Sequence, residues 1–211
     1  MRRDSKILGL LLGILFSVFA VALAVFLLLS FDFLYRFDVE KLGIPSSSGY
    51  EKVFILDNYH AVTQYLSPFY NGEFKLAGMD FSKGGAIHFE EVKNIINILY
   101  LAGSASLLAI LTLLVIFKKR VGRNTFLFSS LGTIVLPAIL IIGAAIDFDS
   151  FFTLFHKLFF NNDLWIFDSR TDPIINILPQ EFFMHCALFI AFVLIFFTLI
   201  LSVIGLFKKK R

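Results

Sequence analysis

The sequence predicts an all-α membrane protein: four transmembrane helices that carry an extracytoplasmic, mostly helical cap. Three observations lead there. Of the 211 residues, 58% are apolar and 28 are Phe, with a mean hydropathy of +0.82, which excludes an ordinary water-soluble domain. Four stretches, 7–31, 94–117, 125–146 and 182–207, contain no Asp, Glu, Lys or Arg. The remaining charges are sorted by sign along the chain, as membrane topology requires.

Each uncharged stretch is long enough to cross a bilayer, because a helix rises about 1.5 Å per residue and roughly 20 residues cover a ~30 Å hydrocarbon core. Barrel strands would alternate polar and apolar residues, and these stretches do not. The first stretch follows Met1-Arg-Arg-Asp-Ser-Lys6 and contains Ala20-Val-Ala22, features shared with a cleavable signal. A signal's apolar region runs about 7 to 15 residues, however, so a stretch of this length is expected to stay as an anchor. Pro137 lies inside the third span, where neighbouring helices commonly tolerate a proline.

Charge sets the orientation. The N-terminal tail, the link at 118–124 and the C-terminal tail hold eleven basic residues against the single acid Asp4, whereas the connections 32–93 and 147–181 hold eight basic and fifteen acidic residues. Basic flanks stay in the cytoplasm, so both termini are expected inside and both long connections outside. The pI near 9.0 therefore reports topology and contact with anionic inner-leaflet lipid, with no nucleic-acid partner implied.

The long connections are where chemistry can reside. In the first, Ser46-Ser-Ser-Gly49 reads as loop, and Val53, Leu56, Tyr59 or His60, Thr63 and Leu66 follow at helical spacing until Pro68 and Asn71-Gly72 break the pattern. Gly84-Gly85 precede a run in which His88, Glu91, Val92 and Ile95 share a face continuous with the second span. In the second, Phe148, Phe151, Phe152, Phe155, Phe159, Phe160, Trp165 and Phe167 crowd around His156 and Lys157, a pattern suited to a helix lying in the headgroup zone. Phe152, His156 and Phe159 or Phe160 fall on one side of it. Asn161-Asn-Asp163 ends that helix, and Thr171-Asp-Pro173 starts a further turn before Pro179.

Motifs for phosphate, dinucleotide, serine-hydrolase and zinc-protease chemistry do not occur. The one cysteine, Cys186, excludes an intrachain disulfide and reads as a small hydrophobe in an apolar helix. His60 suits a surface or packing role. His185 stands four residues after Glu181, a spacing that fits a metal pair or an interfacial hydrogen bond. His88 and His156 are the two histidines placed at the cap–membrane boundary by different connections, and a closed cap would bring them together. Imidazoles titrate near neutrality, so such a pair can take one proton and supply another, although isolated histidines are commonly structural. Glu91 either orients the His88 ring or is a solvated charge near a helix start.

His88-Phe-Glu-Glu-Val-Lys93, Tyr65-Leu66, Phe155-His-Lys-Leu-Phe-Phe160, Trp165, Asp172 and Pro179 together resemble the bacterial lipoprotein intramolecular transacylase family of four-span membrane proteins. The resemblance covers essentially the whole chain, with Glu91 standing where that family often has Asp. It implies transfer of the sn-2 acyl chain of a diacylglyceryl lipoprotein to the α-amino group of its N-terminal cysteine, leaving a lyso-form lipoprotein. It also implies His88 and His156 as the catalytic pair, and the diacylated lipoprotein and membrane lipid as partners of a monomeric enzyme in the cytoplasmic membrane.

The implied chemistry is consistent with the residues. An α-amino group has a pKa of about 7.7 to 8.0 and needs a base to attack at neutral pH. One imidazole can be that base, and the other can serve the oxyanion or the leaving glyceryl oxygen. His156, deeper among aromatics, is the expected base. Tyr65, Phe152, Phe159, Phe160 and Trp165 are expected to shape the pocket, with Glu91 beside the substrate. An ester-to-amide transfer is downhill, so neither a metal nor another cofactor is expected. A scaffold would tolerate loss of both histidines, and a small-solute transporter would place ionisable groups in mid-span, which these spans lack.

Overall fold

The computed structural model describes residues 5–208, and among these every regular element is helical. In chain order they are α1 (Lys6–Ser30), α2 (Phe33–Lys41), α3 (Ile44–Ser48), α4 (Lys52–Leu66), α5 (Lys83–Ile116), α6 (Arg123–Ile146), α7 (Phe148–Phe159), a 3₁₀ turn at Pro173–Asn176, and α8 (Gln180–Phe207). Helices α1, α5, α6 and α8, of 25, 34, 24 and 28 residues, are long and apolar enough to cross a membrane. Arg2, Arg3, Asp4, Lys209, Lys210 and Arg211, which supply part of the charge asymmetry, lie outside the described residues.

The chain divides into two compact units. The first comprises Met1–Val25, Leu99–Ile146 and Ala187–Arg211, the greater part of the four long helices. Small residues let these backbones approach closely, the main packing device between helices in lipid. A Cβ on Gly13 would stand 2.5 Å from the Ser129 carbonyl oxygen. The Ser129 hydroxyl donates to the Gly9 carbonyl at 2.9 Å, and Thr133 and Thr198 share a 2.7 Å hydroxyl bond between α6 and α8. Interior contacts gather Leu8, Leu12, Ile110 and Val121 in one cluster and Ala20, Ala24, Val193 and Leu194 in another. The outer faces leave Ile7, Leu108, Val115 and Ile142 exposed, as expected of helices solvated by acyl chains. Pro137 is buried and α6 continues through it.

The second unit comprises Phe26–Ile98 and Asp147–Cys186. At its centre Tyr35 and Tyr59 stack at 3.8 Å, Phe182 meets both rings edge-on, and the Tyr35 hydroxyl donates to the Ile177 carbonyl at 2.7 Å. Buried Asn58 donates its amide to the Phe54 and Ala77 carbonyls and accepts from the Ala77 N–H, folding the 67–82 connection back onto α4.

Two sequence expectations need correction in this unit. Ser46-Ser-Ser-Gly49 is not loop: Pro45 at the start of α3 and the positive-φ residues Gly43 and Gly49 at its ends define a short helix that closes on the serines. Gly84 and Gly85 do not precede the second long helix but open it. Ser82 caps that helix, its hydroxyl accepting from the Gly85 N–H at 2.9 Å. Only glycine fits at position 85, because a Cβ there would collide with the Asp172 carboxylate. Helix α2 is a further element absent from the sequence reading; its inward face is Tyr35, Asp38 and Val39, and the buried acid interrupts what would otherwise be an apolar stripe.

Candidate active site

Helix α5 places His88 in its second turn, and α7 places His156 one turn from its end. Both lie in the second unit. The rings are 6.0 Å apart between centroids and inclined by 34°, and at 7% and 8% exposure they are buried despite being polar. Phe160 is packed against both, at 4.8 Å from His88 and 5.6 Å from His156. Phe167 closes over His88 at 5.5 Å, while Trp165 stacks on His156 at 4.7 Å and 28°. Phe152, one turn before His156, adds a ring contact at 4.2 Å. The two imidazoles are thus packed among aromatic rings on several sides.

The hydrogen bonds distinguish the two rings. His156 Nδ1 lies 2.7 Å from the Phe152 carbonyl oxygen, which can only accept, so this nitrogen carries a proton and donates. In the neutral ring Nε2 then holds the lone pair. Burial holds the His156 pKa below its ordinary value, with the Phe152 carbonyl opposing in part. His88 differs, because its Nδ1 is buried with no hydrogen-bond partner. Leaving such an atom unpaired costs about 1–3 kcal/mol in a folded protein, so it marks a position suited to a ligand's polar group.

The other anticipated residues fall at graded distances from the pair. Glu91 lies one turn beyond His88 and accepts a 2.8 Å bond from the Asn162 amide through Oε1, while its Oε2 is buried without a partner. Phe159 turns away: it is 49% exposed and packs on Phe155 at 4.7 Å. Phe160, which ends the helix in extended backbone, takes the inward place instead. Tyr65 is separated from the histidines by two rings. It meets Phe74 at 5.1 Å, Phe74 stacks on Phe89 at 4.6 Å, and Phe89 borders His88.

Two residues named in the sequence have roles that it did not disclose. Asn162, identified there only as part of a helix stop, is the hub of the 160–167 loop. Its Oδ1 accepts from the Leu164 N–H and its carbonyl accepts from Trp165 Nε1, each at 3.0 Å. Asp172 is buried and accepts from the Ser82 N–H at 2.8 Å, which ties the start of the His88 helix to the 3₁₀ turn. The remaining histidines lie elsewhere. His60 pairs with Asp32 at 2.9 Å on the surface. His185 donates at 2.7 Å to fully buried Asp38, not to Glu181. Among the described residues no three His, Cys, Asp or Glu side chains gather to hold a metal ion.

Comparison with known proteins follows this geometry. The family model for lipoprotein intramolecular transacylase Lit matches residues 10–183. The chain belongs to the lipoprotein intramolecular transacylase family. It is thus an acyltransferase and a multi-pass membrane protein. The crystal structure of the membrane-integral Lit from Bacillus cereus is 35% identical, with 94% of this chain and 92% of that one covered and a TM-score of 0.87. Two structures of that Lit with one histidine replaced, by arginine and by alanine, are each 34% identical with a TM-score of 0.83 and cover 96% of this chain and 90% and 92% of theirs. Among curated proteins none matches. A transacylase moves an acyl group without water as acceptor, and a buried, ring-walled histidine pair suits that requirement.

Proposed function

We propose that this enzyme moves the sn-2 acyl chain of a diacylglyceryl lipoprotein onto the α-amino group of the lipoprotein's N-terminal cysteine, with His88 and His156 as the catalytic pair. The single observation that carries the assignment is the locked His156 ring, with Nδ1–H spent on the Phe152 carbonyl and Nε2 left as a lone pair 6.0 Å, ring to ring, from a second buried imidazole.

The sequence of bond changes is short. His156 Nε2 takes a proton from the α-ammonium, and the freed amine attacks the ester carbonyl. A C–N bond forms, and the carbonyl oxygen becomes an oxyanion for which unpaired His88 is the donor. The tetrahedral species expels the glyceryl oxygen, which takes the proton held by His156, and the nitrogen gives its second excess proton to the freed Nε2 and on to solvent, leaving an amide and a free glyceryl hydroxyl. Attack passes through an eight-membered ring, so the gain lies chiefly in orientation, where proximity is worth about 7–11 kcal/mol in favourable cases. Phe152, Phe160 and Trp165 form the wall that confines the reacting groups, and Tyr65 and Phe159 support it from farther out. No step calls on a metal or a nucleotide. Purified enzyme mixed with a synthetic diacylated lipopeptide is expected to yield an N-acyl lyso-lipopeptide of unchanged mass whose amine is blocked. Fragment masses showing both acyl chains still on the glyceryl group would overturn the assignment.

The charge asymmetry further supports a place in the cytoplasmic membrane with both termini in the cytoplasm and the connections 32–93 and 147–181 facing outward. Single cysteines introduced at exposed Lys75 and Lys119, in a background lacking Cys186, are expected to react with a membrane-impermeant maleimide on intact cells at 75 only. Labelling at 119 alone would reverse the orientation.

A further inference from the structure

Three buried side-chain atoms among the described residues lack hydrogen-bond partners: Asp38 Oδ2, His88 Nδ1 and Glu91 Oε2. Two of the three lie on one face of α5, a single turn apart, where Cβ atoms are roughly 5–6 Å from each other. An orphan carboxylate oxygen can only accept, and a charged donor complements it best. No cluster of metal ligands surrounds Glu91.

The orientation of Glu91 is built from outside its own helix. Asn162 comes from the loop after α7, 71 residues away, and donates Nδ2–H to Glu91 Oε1 at 2.8 Å. The amide cannot turn over without loss, because its Oδ1 is engaged by the Leu164 N–H at 3.0 Å. Trp165 donates to the Asn162 carbonyl and stacks on His156. One connected structure therefore holds the free Glu91 oxygen and the base ring in register: Glu91, Asn162, Trp165, His156.

We infer that Glu91 Oε2 receives the α-ammonium of the lipoprotein's N-terminal cysteine, and that Asn162 is the positioning residue that aims it. This rests on the transacylase reading above and adds the group that recognises the nucleophile in its resting, protonated form. Of the ammonium's three N–H bonds one goes to Glu91, leaving another for the imidazole that removes a proton. Substrates with a blocked amine would leave Oε2 unpaired and be rejected at binding, before any chemistry.

A binding measurement separates the two levels. The probe is a lipopeptide with both glyceryl chains attached through ethers, so that no acyl group can move, prepared with a free α-amine and with an N-acetyl group. Wild-type protein is expected to bind the free-amine form more tightly by about 10- to 100-fold, the range for a hydrogen bond between charged partners. Glu91→Gln should bring that ratio to about one while leaving the affinity for the N-acetyl form unchanged, and Glu91→Asp should restore part of it. Asn162→Ala should lower the ratio on its own, with no further loss when combined with Glu91→Gln. A wild-type ratio near one, or a ratio that survives Glu91→Gln, overturns the Glu91 assignment; fully additive losses overturn the Asn162 role. Should the glutamine variant fail to fold, the wild-type ratio and the Asn162→Ala ratio still decide. Turnover of the matching diester lipopeptide by wild-type protein is followed in parallel. Absence of turnover removes the transacylase reading, whereas turnover with an unaltered ratio removes this inference alone.

Discussion

His156→Ala is expected to lower turnover of a diacylated lipopeptide by about 10² to 10⁴-fold, the span commonly lost with a general base, with the protein still inserted and folded. Its Nε2 is the lone pair that the Phe152 carbonyl leaves free. His88→Ala is expected to fall by a similar order, through loss of the donor for the oxyanion, and the double variant by little more than either single one, since both act on one transition state. Mass spectrometry of the reaction products reads all three. Near-wild-type turnover by either single variant would remove that histidine from the mechanism.

The same ring sets the acid limit. Burial keeps the His156 pKa below the ordinary 6.5, so the imidazole remains neutral, and able to accept a proton, as the pH drops through 6.5. Turnover at saturating substrate is expected to hold there and to decline only at lower pH. A limb centred above 6.5 would contradict the assigned base. A buried histidine that must charge also weakens the fold in acid, so recovery of activity on return to pH 7 is the control that separates titration from unfolding.

Asp172→Ala carries the second large effect. The buried carboxylate accepts from the Ser82 N–H and the Thr171 hydroxyl, each at 2.8 Å. Its removal leaves two donors without their acceptor, at about 1–3 kcal/mol each where they stay buried. Because Ser82 caps the helix that carries His88, the expected result is both a lower unfolding temperature in detergent and a turnover loss of tenfold or more. Asp172→Asn keeps an oxygen for the Ser82 N–H and should recover most of the loss. If alanine and asparagine variants behave alike, the carboxylate does not position that helix through Ser82.

Some of the site was legible in the residues themselves. The aromatic crowd around His156 and the helical run from His88 into an uncharged span stand in the sequence as patterns. Periodicity reports which residues share a face, and both histidines were found that way. It does not report which end of an aromatic run turns inward: Phe160 and not Phe159 meets the imidazoles, because the helix ends between them and the backbone extends. The glycine pair that reads as preceding α5 opens it instead, since the contact that demands Gly85 comes from Asp172, 87 positions later in the chain. Helix α2 stayed hidden because its inward face includes an acid whose partner, His185, is 147 residues away.

Primary structure alone settles that this chain lives in a membrane and crosses it with four helices, because transfer of uncharged runs out of water depends on local composition and needs no knowledge of neighbours. The pairing of two imidazoles, the tautomer of one, and the aim of Glu91 are settled only by folding. The pairing and the aim depend on ring contacts or hydrogen bonds a few ångströms long between groups 68 and 71 residues apart, which no local pattern encodes, and the tautomer on how the His156 ring turns toward the Phe152 carbonyl.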